Sequence, residues 1–72
     1  MNRLAQTRQR LVREDPHFQR LVRRHREYEK RLEQLRDLRY PNIDEQMEEV
    51  KLKKLKLSIK DQMERLVRDA AS

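Results

Sequence analysis

The side chains of this 72-residue sequence that could do chemistry are two histidines, three Ser/Thr hydroxyls, an acidic cluster and many guanidinium and ammonium groups. His25 could bind a ligand or change charge near neutral pH. It stands within an apolar series, though, where a polar residue more often sets register or pairs with a carboxylate. His17 lies roughly 12 Å away along a straight helix, so the two cannot share a metal within one chain. Cysteine is absent, which makes a zinc or other transition-metal site improbable. Thr7, Ser58 and Ser72 have no histidine at a suggestive helical spacing. Glu45, Glu48 and Glu49 could do acid–base work only in a concave, partly desolvated pocket, which a rod of two helices does not offer. Without glycine there is no phosphate-cradling loop. The expectation is no enzyme, no cofactor and no metal.

The basic groups are the stronger functional candidates. Arg10, Arg13, Arg20, Arg23 and Arg24 crowd the first half, together with Arg3, Arg8 and Arg26. Lys53, Lys54 and Lys56 crowd a later run, flanked by Lys51 and Lys60. Such groups bind a phosphate backbone without reading sequence, and they do so salt-dependently. They equally serve solubility and salt bridges to neighbouring glutamates, which is the favoured expectation. Phe18 and Tyr28 sit in the apolar seam, so no aromatic platform for stacking bases stands out. The net charge of +6 is unevenly placed. Residues 1–31 carry ten basic against four acidic groups, residues 32–50 two against six, and residues 51–72 seven against three.

The elements that must position these groups are helical. At 44% charged residues the chain borders on disorder. The absence of glycine, the abundance of Arg, Lys and Glu, and prolines only at positions 16 and 41 favour helix. A short arginine-rich helix is expected over about 2–13, with Leu4, Leu11 and Val12 on one side. Those three are too thin an apolar face for a membrane-surface helix. Asp15 suits an N-cap and Pro16 a first helical position, so a second helix should run over about 16–39. Along it Phe18, Leu21, His25, Tyr28, Leu32 and Leu35 step by three and four, a heptad seam. Tyr40-Pro41-Asn42 is the turn, and Asn42 with Glu45 suggests a capping box. A third helix should follow over about 43–69.

The predicted fold is therefore all-α, one domain, with a short first helix and an antiparallel two-helix hairpin resembling a coiled coil. In the third helix Leu52, Leu55, Ile59, Met63 and Leu66 make one stripe, while Val50 and Leu57 lie roughly opposite. Two apolar sides want two neighbours. Each buried large aliphatic contributes about 1.5–3 kcal/mol, so four or five left in water would forgo on the order of 10 kcal/mol, the stability of a whole domain. A homodimer closing into a helical bundle is expected, with a further protein partner as an option. Nucleic acid is the alternative partner and a membrane is not expected. With no apolar run long enough to span a bilayer and no signal-peptide core, the expected setting is the cytoplasm.

The Asp15-Pro16-x-Phe18 start, the His25-x-x-Tyr28 step and the run from Leu52-Lys53-Lys54 to Lys60-Asp61 together resemble the small YdcH-like family of bacterial proteins. The likeness covers roughly residues 14–68. It implies a short helical hairpin, often self-associating, with no assigned enzymatic activity. Leu55 departs from the family pattern, where a charged residue is more usual, and Tyr28 replaces a common aliphatic. Nothing carries over to the arginine-rich first segment.

Overall fold

The computed structural model describes residues 2–72 and consists of three helices: α1, Arg3–Glu14; α2, Pro16–Arg36; and α3, Ile43–Ala71. Asn2 starts α1, its Oδ1 accepting from the backbone N–H groups of Leu4 at 3.0 Å and Ala5 at 3.4 Å. Pro16 forbids its predecessor the helical region, and Asp15 is accordingly extended, with φ −102° and ψ 110°. That one residue ends α1 and begins α2. Its N–H donates to the Leu11 carbonyl at 2.9 Å. Its Oδ1 accepts from His17 N–H at 2.9 Å and Phe18 N–H at 3.1 Å. Gln19 Nε2 then reaches back to the carbonyls of Val12 and Arg13, which the end of α1 leaves without helical donors.

α2 stops at Arg36, three residues short of the sequence expectation. Between Leu35 and the turn no residue is buried, and Leu38 is 40% exposed. Leu38 N–H donates instead to the Leu35 carbonyl at 3.2 Å, a tight closing turn. α3 opens on the expected capping box: Glu45 N–H donates to Asn42 Oδ1 at 2.8 Å and Asn42 N–H to Glu45 Oε1 at 2.9 Å. It runs on to Ala71, two residues past the expected end.

α2 and α3 lie side by side and antiparallel. The start of α2 packs on the end of α3, since Phe18 and Leu21 share one buried cluster with Ile59, Met63 and Val67. The end of α2 meets the start of α3 through Arg31 and Glu48. α1 folds back over the open end and contributes Leu11 to the same cluster. This lid leaves Phe18 0% exposed. Thr7 is also buried, and its hydroxyl donates to the Arg3 carbonyl at 2.9 Å, so the buried polar atom is satisfied. The result is a rod of 46 × 24 × 16 Å.

The inner face of α3 differs from the stripe expected of it. Ile59, Met63 and Val67 are buried, while Leu52 and Leu66 are half-buried and Leu55 lies at the exposed flank. The position between Leu52 and Ile59 is taken by Lys56, also half-buried. Its stem follows the seam and its ammonium pairs with Glu29 of α2 at 3.4 Å.

Candidate functional site

Because the inner face of α3 is used by α2 and α1, its outer face is left to solvent. Ile43, Met47, Val50 and Leu57 are 74%, 65%, 54% and 61% exposed. With Lys54 they step by four, three, four and three residues, the spacing of a heptad seam. One helix thus carries two seams on opposite sides: one filled by the core and one unpartnered. Ile43, Gln46, Met47, Val50, Lys51 and Lys54 line an open, largely apolar groove along the second. The sequence placed Val50 and Leu57 opposite the core stripe. Ile43 and Met47 were not named with them, although the four-three stepping through Lys54 was there to be read.

Apart from Leu55, at the exposed flank, the remaining members of the expected self-association set line the intrachain interface. Phe18, Leu21, Leu32 and Leu35 of α2 are buried, and His25 and Tyr28 half-buried. The structure therefore divides that set between an intrachain core and an outer face. His25 Nδ1 lies 3.7 Å from Glu29 Oε1 within α2. Glu29 in turn faces Lys56, so a single carboxylate serves both.

The expected anion-binding set also divides. Lys53 pairs with Glu49 at 3.1 Å and Lys56 with Glu29, so two of its lysines are already neutralised within the chain. Arg10, Arg13, Arg20, Arg23 and Arg24 enter no ion pair among the described residues, and neither do Arg3, Arg8 and Arg26. α1 and the first half of α2 carry all eight.

At the opposite end Arg31 holds Glu48 in a two-pronged contact, Nε to Oε2 at 2.8 Å and Nη2 to Oε1 at 2.9 Å. This hydrogen bonding, reinforced by the guanidinium charge, holds the Glu48 carboxyl below its ordinary range. Arg31 is raised in the complementary direction.

The hydroxyls are engaged locally. Thr7 is buried, Ser58 Oγ accepts from Gln62 Nε2 at 3.4 Å, and Ser72 Oγ donates to the Asp69 carbonyl. Among the described residues no three His, Cys, Asp or Glu side chains converge on a point that could hold a metal. No helix among them is long and apolar enough to cross a membrane.

A family model described as "Protein of unknown function (DUF465)" matches residues 18–67. That segment holds nearly all of α2, the turn and most of α3, and leaves α1 outside. No curated protein and no solved structure matches the chain.

Proposed function

We propose that this chain, which belongs to the DUF465 family, is a non-enzymatic interaction module that self-associates through the outer face of α3. The observation that supports it is the second seam. Ile43, Met47, Val50 and Leu57 hold apolar side chains in water at the spacing of a helix–helix contact, and the chain's own core has no use for them. Burying such a stripe against another helix is the ordinary means of stabilising it. A closed two-fold pair is the commonest arrangement for identical chains. The same reading takes in the finer likeness of residues 14–68 to the YdcH-like proteins and a cytoplasmic setting, with the cysteine-free sequence in support. Size-exclusion chromatography with light scattering tests it. Val50→Asp should shift the chain toward the single-chain mass and leave its helix content unchanged. An unchanged mass for that variant removes the outer face from consideration.

A second reading has its own observation. The eight arginines from Arg3 to Arg26 have no carboxylate partner among the described residues and share one end of the rod. A phosphate backbone is the ligand such a set would take. Retention on random-sequence RNA at low salt, released steeply as salt rises, is the expected behaviour. No retention at any salt disposes of it.

A further inference from the structure

We infer that two copies of this chain pair α3 against α3 in antiparallel, with Met47 of each opposite the partner's Val50 and Asp44 of each beside the partner's Lys51. The inference rests on the self-association reading above and fixes its geometry.

Step order and charge decide the alignment. Along the exposed seam the residues are Ile43, Met47, Val50, Lys54 and Leu57, separated by four, three, four and three. A parallel partner in register would set Asp44, on the flank of the seam, at the level of its own copy, and Lys51, Lys53 and Lys54 at the level of theirs. Like charges so placed oppose association. Antiparallel pairing lays the acidic third of one helix along the basic third of the other.

Reversing one helix reverses the order of its steps, so only certain alignments match four with four and three with three. One sets Ile43 opposite the partner's Lys54 and Met47 opposite the partner's Val50. The next sets Met47 opposite the partner's Leu57, and Ile43 opposite the partner's Asp61. The second faces an apolar residue with a carboxylate and brings Lys51 and Lys53 against their own copies across the axis. The first avoids both. Asp44 and Lys51 are seven residues apart and so share one flank of the seam, as Gln46 and Lys53 share the other. In this alignment Asp44 meets the partner's Lys51 on one flank and Gln46 meets the partner's Lys53 on the other. Asp44 and Lys51 have no ion-pair partner within the chain among the described residues, so both are available. The Lys54 stem covers the partner's Ile43 while its ammonium stays in water.

The chain lacks cysteine, so single thiols report on the pairing without background. Ile43→Cys and Lys54→Cys are prepared separately, mixed and oxidised. A disulfide needs Cα atoms within about 7 Å. The inferred alignment brings residue 43 of one chain to residue 54 of the other, and keeps each from its own copy by about 16 Å along the axis. The mixture should therefore cross-link and neither variant alone should do so. Cross-linking of either variant with itself overturns the antiparallel alignment, and preferential cross-linking of Ile43→Cys with Asp61→Cys overturns the register. Both leave self-association standing. If the wild-type chain dimerises but the thiol variants never cross-link in any combination, the face is overturned, whereas a wild-type chain that is monomeric throughout removes the parent reading as well. Charge exchange is a second readout. Asp44→Lys should weaken the dimer several-fold, and adding Lys51→Asp should recover most of the loss. Failure to recover, with each variant folded, counts against the pairing.

Discussion

Arg31 of α2 and Glu48 of α3 are joined by two hydrogen bonds of 2.8 and 2.9 Å, the two-pronged contact that closes the tip of the hairpin. Arg31 Nη1 also donates to Gln34 Oε1 at 3.2 Å, which holds the guanidinium plane in place. The contact lies at the surface, so water and salt weaken it, but its geometry fixes how α2 and α3 register.

Acid should loosen this contact. Glu48 is held below its ordinary value of 4.5 by the Arg31 hydrogen bonds, so its contribution is complete above that value. The contribution is lost as pH falls through the lower folded-state pKa. Arg31 is shifted upward and stays charged throughout this range, adding no pH dependence there. Melting temperature should fall with pH in the acid range, and Arg31→Ala should flatten part of that fall. An identical profile in the variant would show that the pair does not couple to folding.

Truncation inside the hairpin and on the outer face of α3 should have unequal effects. Leu32 of α2, 1% exposed, packs in the interior, and Leu32→Ala should cost about 2–5 kcal/mol in urea unfolding. Leu57→Ala removes a side chain that the single chain does not bury, so the stability of the isolated chain should change by about 0.5 kcal/mol or less. Under dimerising conditions Met47→Ala, which removes a side chain facing the partner's Val50, should lower apparent stability in a concentration-dependent way.

Asp15 is the joint on which the lid turns. Asp15→Ala should destabilise by about 0.5–2 kcal/mol through the lost cap, and Asp15→Asn should recover most of it. Amide exchange should show faster opening at the start of α2, next to the missing acceptor. Equal exchange rates there in wild type and Asp15→Ala would mean the cap contributes nothing.

Lys56 sits in the inner seam with its ammonium on Glu29. Lys56→Met keeps the stem and removes the charge, so thermal stability should be preserved or rise. Lys56→Asp should lower it clearly, by facing Glu29 with a like charge. Tolerance of both would place residue 56 outside the seam.

Much of this arrangement was legible in the residues. Pro16, Pro41, Asp15 and Asn42 marked the element boundaries, because each acts through its own backbone geometry or cap. The stepping of Phe18, Leu21, Leu32 and Leu35 marked the inner face of α2. What was not legible depended on neighbours. A lysine reads as surface, so Lys56 hides the true seam and the neighbouring Leu55 stands out in its place. Lys54 likewise interrupted the outer stripe, which separated Ile43 and Met47 from Val50 and Leu57. Thr7, Leu11 and Val67 became core only because α1 folds back on the hairpin, a docking that a weakly apolar, arginine-rich segment does not announce. The outer face of α3 was half visible, as two residues on the wrong side of a helix.

Sedimentation equilibrium of the unmodified chain, from nanomolar to high micromolar concentration, bears most directly on whether that outer face is a contact surface. The mass should rise from the 9.0 kDa chain toward twice that value, and Val50→Asp should hold it at the single-chain mass over the same range. A chain that stays at 9.0 kDa at every concentration, while remaining fully helical, contradicts self-association and leaves the second seam without the use given to it here.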